Sequence, residues 1–264
     1  MTGGSRSALA RHPFLTRQEV AVAVALACAT LLWLAMPPVT QPGRYHEFAD
    51  QRTWLGVPYA ADVLSNVGFL IVGLLGIVRM QTTLRPLVPA VRIGLYVLFI
   101  GLFLTGFASA YYHWAPADDA LVVDRLAMTI VFAGVFGAMV AERISARAGL
   151  AVLLLMMVIG PASVLLWQRT GDLSLYAVVQ FGGMLYILLL LSFTPRGADP
   201  FPWWALIAWY AVSKVAEAGD ALVWHATREV VAGHALKHLA AAAGGLAIAN
   251  ALRNPRRPKN AARA

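Results

Sequence analysis

GFASAYYHWAPADDALVVDRLAM, residues 106–128, holds the end of one long apolar run, a short polar turn and the start of the next run. Read as helices, it is a hairpin of two apolar helices with chemically capable side chains at its closed end. Ser109 and His113 are four residues apart and share a helix face, one turn from each other. Asp124 stands at the mouth of the following run. Far downstream, GHALKHL sets His234 and His238 four apart at the start of the last apolar run. Polar groups at the ends of apolar helices are costly where lipid surrounds them, and such positions are usually functional.

Composition makes the membrane reading general. Of 264 residues, 59% are hydrophobic and only 13% charged, against about 25% charged in an ordinary soluble domain. Mean hydropathy is +0.67, and several apolar runs approach the ~20 residues that span a bilayer. The expected fold is all-α: a polytopic membrane bundle. The formal charge of +8 does not argue for nucleic acid, because the basic residues form no stripe with interleaved aromatics. They gather in the connections and tails instead. Cys28 is the only cysteine, so no disulfide framework exists and any metal must take nitrogen and oxygen ligands.

Residues 1–18 read as a basic tail. The first run, 19–37, ends at Pro37-Pro38; its apolar part is long for a signal peptide and no small-x-small cleavage site follows. It is therefore read as an additional transmembrane helix. Further runs fall at 62–80, 90–113, 121–141, 147–167, 173–194, 203–223 and 233–252, giving a seven-helix core over 62–252 and a basic tail over 253–264. Fourteen basic residues lie on one side of this arrangement: Arg6, Arg11, Arg17, Arg79, Arg85, Arg92, Arg143, Arg147, Arg196, Arg253, Arg256, Arg257, Lys259 and Arg263. Five lie on the other: Arg44, Arg52, Arg125, Arg169 and Arg228. The positive-inside rule then puts both termini in the cytoplasm and the 114–123 and 220–233 loops outside. His113, Asp124, His234 and His238 fall at the same, outer end, which a shared site requires.

Three imidazoles with one open position are a natural set for catalytic zinc, which lowers the pKa of bound water to about 7. The ordinary alternative is that they pack between helices. A His-x₃-His pair alone is weak, and the metalloprotease form is absent because Ala235 stands where its base would be. Asp124 suits proton acceptance from water near the metal, or it is an acid in a first helical turn, favoured by the dipole and followed by Arg125. Ser109 can hydrogen-bond a developing oxyanion, or it is a small residue for close packing; no base precedes it to make a nucleophile. Asp62, Ser65 and Asn66 offer support for the site or a cation, with a helix cap the alternative for Asp62. Lys214, Glu217 and Asp220 share one face and read as an intrahelical ion pair turned inward. His225 reads as solvated in the outer loop. Tyr111, Tyr112, Trp114, Trp203, Trp204 and Trp224 look like interfacial belt residues. The AAAAGGLAIANA stretch is a close-packing face.

Ser-x₃-His, then Asp-Arg-Leu-x-Met eleven residues past the histidine, then Gly-His-x-x-Lys-His at the last helix resembles the alkaline ceramidases. It also resembles the wider CREST superfamily of seven-helix membrane hydrolases and receptors. The resemblance spans the core, and the N-terminal helix is an addition to it. It implies that His113, His234 and His238 bind zinc, that Asp124 acts on the zinc water and that Ser109 assists at the carbonyl. The implied reaction is hydrolysis of the amide of ceramide or another N-acyl lipid, which enters laterally from the bilayer. The eukaryotic ceramidases enter their first core helix through Glu-Phe-Trp-Asn-Thr-x-Ser-Asn. Here the stretch is Tyr-Ala-Ala-Asp-Val-Leu-Ser-Asn, so Ser65 and Asn66 match, Asp62 replaces asparagine and Tyr59 replaces the glutamate. Their calcium motif has only Glu47 and Asp50 in its region, so calcium does not follow from the resemblance. A zinc-containing receptor like the adiponectin-receptor branch is the alternative function, although that branch is expected to turn its metal end toward the cytoplasm. A transporter would need paired broken helices, which the sequence lacks.

Overall fold

The computed structural model describes residues 15–194 and 200–253. The remaining parts of both basic tails, and Arg196, lie outside them. Nine helices and no strands occur among the described residues: α1 (Arg17–Ala35), α2 (Ala60–Thr82), α3 (Pro89–Trp114), α4 (Asp118–Arg143), α5 (Ala146–Thr170), α6 (Ser174–Phe193), α7 (Trp203–Ala218), α8 (Asp220–Ala226) and α9 (Gly233–Asn250). The fold is an all-α polytopic bundle. Six helices, α1 to α6, are long and apolar enough to cross a membrane. The two remaining expected spans differ. α7 covers 16 residues, and Gly219 separates it from α8, so half of the expected 220–233 loop is helical. α9 covers 18 residues and carries His234, Lys237 and His238 in its first turns.

The chain packs mostly with sequence neighbours, α3 on α2 and α4, α4 on α5, while α9 returns to pack on α7, α2 and α3. Small residues permit the closest approaches. A Cβ on Gly134 would lie 2.3 Å from the backbone nitrogen of Leu98, so α3 and α4 touch backbone to backbone. The Gly244-Gly245 pair in α9 works alike: a Cβ on Gly245 would meet Leu102 at 2.6 Å. Leu31, Leu34, Ile71, Val158 and Phe193, each more than half exposed, lie on the outside of the bundle, as lipid contact demands.

Two helices depart from regular geometry for traceable reasons. In α2 the Asp62 carbonyl accepts from the Ser65 hydroxyl at 2.9 Å and the Asn66 amide side chain at 2.7 Å. The Asn66 backbone N–H turns to Val63 instead, which tightens the turn locally. In α6, Val178–Gly182 forms a π-helical turn.

α1 is docked at both ends. Thr16 and Glu19 form a capping box, Arg147 and Ser145 both reach Glu19 at 2.7 Å, and the Trp33 indole donates to Ser174 at 3.1 Å. Between α1 and α2, residues 36–59 form a strap across the histidine end of the bundle. Val39 N–H donates to Asp172, and the Leu173 N–H donates to the Val39 carbonyl. Gln41 and His46 both bond Asp118, and the Ala49 N–H donates to Asp220. Arg52 reaches the Val230 carbonyl.

Candidate metal centre

α3 brings His113 to the histidine end in its last turn, and α9 brings His234 and His238 there in its first two. The ring centroids of the three imidazoles are 4.8, 4.9 and 5.0 Å apart, and all three rings are buried. One nitrogen from each lies within 4.8 Å of the others; no second group of three or more histidine, cysteine or acidic side chains stands this close among the described residues. Tetrahedral zinc with Zn–N of about 2.0–2.1 Å holds its ligands about 3.3 Å apart, so the rings need to close by no more than about 1.5 Å.

The hydrogen bonding fits a metal better than it fits ordinary packing. Neither nitrogen of His113 has a partner, nor does His238 Nε2. Interior polar atoms almost always find partners, so a cluster of orphaned imidazole nitrogens calls for a ligand. His238 Nδ1 lies 2.8 Å from the Ser65 hydroxyl. Because that hydroxyl gives its proton to the Asp62 carbonyl, it accepts from Nδ1–H, and this tautomer leaves the Nε2 lone pair free for a metal. His234 differs: its Nε2 takes a hydrogen bond from the Lys237 ammonium at 3.2 Å, so a cation already engages that nitrogen.

α9 is held in place for this task. The His234 N–H donates to Asp220 Oδ1 at 2.8 Å, and Asp220 Oδ2 accepts from Ala49. Asp220 therefore serves the first turn of α9 as a cap supplied by α8. Gly233 is the residue that permits it, because a Cβ there would lie 2.2 Å from the Ala216 carbonyl oxygen. Over the triad sits Phe48 of the strap, its ring 4.7 Å from His113 and 4.6 Å from His234.

Asp124 and Ser109 are buried and line a cavity with His238, Lys237 and Lys214. The cavity, of about 110 Å³, continues between α3, α4, α7 and α9 past Leu98, Leu102, Val135 and Leu206. Ser109, Asp124, Lys214, Lys237 and His238 line it together with Thr105, Tyr210 and Ser213, and the rest of its walls are apolar. Asp124 is the seventh residue of α4, behind Asp118 and Asp119. The first-turn alternative for Asp124 does not hold: the helix starts at 118 and not 121, so the dipole is served by the two preceding acids. Arg125 does not pair with it either, being stacked on Trp167, Tyr176 and Tyr45 and bonded to Gln41. Asp124 Oδ1 has no partner.

Asp62 is fully buried and neither of its oxygens has a partner. It caps nothing, since Tyr59 occupies that position in α2. Ser65 contacts His238 of the triad, and Asn66 Oδ1 is unpartnered. Glu47 does not converge on these groups, whereas Asp50 is near enough for its charge to act on Asp62. Glu47 is exposed and paired with Arg44, and Asp50 is held by Arg52 through two bonds of 2.8 and 2.7 Å. The belt expectation fails for Tyr112, Trp203 and Trp224, which are buried; Tyr111, Trp114 and Trp204 are exposed. His225 is exposed on α8. The Lys214–Glu217 pair is present at 2.6 Å, joined by Lys237 from α9. Phe48 and Lys237 at the site escaped the sequence reading: a phenylalanine in a loop carries no periodicity, while Lys237 stood in plain view between the two histidines.

The fold and the triad define a membrane helical protein with a buried three-histidine group able to hold a metal ion. No protein-family model and no curated protein matches the chain.

Proposed function

We propose that the chain is a zinc-dependent intramembrane hydrolase that cleaves the amide bond of an N-acyl lipid. What carries the reading is one juxtaposition: three buried imidazoles, two of them with orphaned nitrogens, are grouped where His238, Asp124 and Ser109 line the polar end of an apolar cavity. From Asp124 to Phe136 the cavity wall follows α4 for 12 residues, roughly 18 Å, which suits an extended acyl chain. Its carbonyl then sits beside the triad. Zinc held there supplies Lewis acidity toward the carbonyl oxygen and toward water.

The side chains divide the remaining work. Asp124 accepts a proton from the attacking water and passes it to the departing nitrogen. Ser109 donates a hydrogen bond to the acyl oxygen as negative charge develops there. Water adds to the acyl carbon, the C–N bond breaks, and a carboxylic acid and an amine leave. Glu217 holds the Lys237 ammonium beside His234, and Phe48 shields the rings from the aqueous side.

Metal analysis of detergent-purified protein tests the first half: about one zinc per chain is expected, and none in the His234→Ala/His238→Ala double variant. Undiminished zinc in that variant overturns the assignment. Lipid-product profiling with and without the wild-type protein tests the second half, and bound zinc without any released acid favours the receptor-like alternative.

A further inference from the structure

The polar end of the cavity carries a charge pattern that amide hydrolysis alone does not require. Lys214 of α7 and Lys237 of α9 both line it. Glu217 bridges them, with Lys214 Nζ at 2.6 Å from Oε2 and Lys237 Nζ at 2.6 Å from Oε1. One carboxylate thus answers two ammonium groups. Asp124, the acid that lines the cavity itself, pairs with neither lysine within 4.0 Å, although its charge acts on both through space. A divalent ion on three neutral imidazoles would add further positive charge. An ammonium carries three N–H donors; Lys214 spends one on Glu217, and Lys237 spends two, on Glu217 and His234. Donors are left over, and a bound divalent ion would turn the balance of two ammonium groups and two carboxylates net positive, at a place where unanswered charge is expensive.

Lys214 also stands close to the outside of the bundle. Its Nζ is 5.9 Å from the Phe181 ring and 5.7 Å from that of Tyr210. Phe181 lies in the π-helical turn of α6 and is 55% exposed, and such turns recur at functional sites. The lysine is therefore placed at the seam between α6 and α7, with the cavity on one side and the lipid-facing surface on the other.

We propose that Lys214 and Lys237, held by Glu217, are a headgroup-recognition site, and that the ligand is an N-acyl lipid with an anion on its amine side. The anion is a carboxylate or a phosphate, and the acyl chain fills the apolar cavity. An uncharged diol headgroup would leave the lysines unanswered. The acyl-amide part of this inference rests on the hydrolase reading, whereas the anion preference is a property of binding.

Titration calorimetry on the full-length zinc-loaded protein separates the two. N-palmitoylglycine is compared with its neutral amide, N-palmitoylglycinamide, and the phosphate ester of N-palmitoylethanolamine with N-palmitoylethanolamine itself. At least one anion should bind about tenfold or more tightly than its neutral counterpart, the worth of one hydrogen bond to a charged group, and the better anion identifies the headgroup. Lys214→Met and Lys237→Met should each erode that preference, and Lys214→Arg should keep it. Glu217→Gln should enlarge it by freeing the lysines, a gain that a purely structural ion pair does not give. Equal affinity for anion and neutral analogue in the wild type, or a preference that survives both methionine variants, overturns the proposal. An intact preference with no amide cleavage leaves the headgroup site standing and removes the hydrolase reading. Cleavage of neutral and anionic lipids alike, without preference in binding, does the reverse.

Discussion

Ser65 is the side chain through which α2 acts on the metal centre. It accepts from His238 Nδ1 and so fixes which nitrogen faces the cluster. Partners of this kind are worth about 10–100-fold in metal affinity, so Ser65→Ala should weaken zinc binding by that order in a chelator competition. An unchanged affinity would cut the link between α2 and the triad. Asp124 has a different test. Asp124→Asn keeps shape and most packing but cannot accept a proton, so zinc content and thermal stability should stay near wild type while amide hydrolysis falls about 10²–10⁴-fold. Ser109→Ala should be milder. Loss of zinc in Asp124→Asn would make the residue an anchor, and full activity would remove it from the mechanism. The three histidines were legible from spacing and from their common depth in the bundle. Asp124 was legible as a candidate, but its surroundings were not, because the helix start that decides between a dipole role and a buried one lies in the ambiguous stretch 115–121. The orphaned oxygens of Asp62 had no sequence signature at all.

At the scale of elements, the strap over 36–59 is what closes the histidine end; Asp172 holds its first part, and Asp50 fixes Arg52, which reaches the Val230 carbonyl. Asp172 accepts from the backbone N–H groups of Ser174 and Val39, and bonds to its charged form hold its pKa below the usual 3.8. Burial works to raise the pKa of Asp50, but the Arg52 hydrogen bonds and charge outweigh it and hold the group below 3.8 as well. A depressed folded-state pKa stabilises the folded form above the ordinary carboxylate value and loses that contribution as pH falls through the lower one. The Val39–Asp172 and Arg52–Asp50 contacts should therefore hold from pH 7 to pH 5 and loosen only in stronger acid. Hydrogen exchange at the Val39 amide, corrected for intrinsic rates, measures this; loss of protection already at pH 5 would contradict it. Apolar length made the helices readable. The strap was invisible because its bonds join residues far apart, such as Ala49 with Asp220, and its own sequence has no period. The irregular turn in α2 escaped for a local reason: Ser65 and Asn66 compete with the backbone for one carbonyl.

For the whole molecule, the distribution of basic residues makes the orientation testable. The described members of the larger set gather away from the triad: Arg79 bonds Asn250, Arg85 bonds the Ala251 carbonyl and stacks on Phe201, and Arg147 pairs with Glu19. The smaller set includes Arg44, Arg52 and Arg125, which lie on or against the strap. Basic residues resist transfer across the membrane, so the strap and triad should face the outside and the opposite end the cytoplasm. Cysteine placed at Ala117 or Ala226, both exposed at the triad end, reports the orientation after Cys28→Ser removes the native thiol. Both positions should react with an impermeant maleimide in intact cells, whereas a cysteine at Leu84, exposed at the opposite end, should react only after lysis. Protection at Ala117 and Ala226 together with labelling at Leu84 would invert the molecule. The triad would then open to the cytoplasm, as in the receptor-like alternative, and a lipid presented from the outer leaflet would meet the wrong end of the cavity.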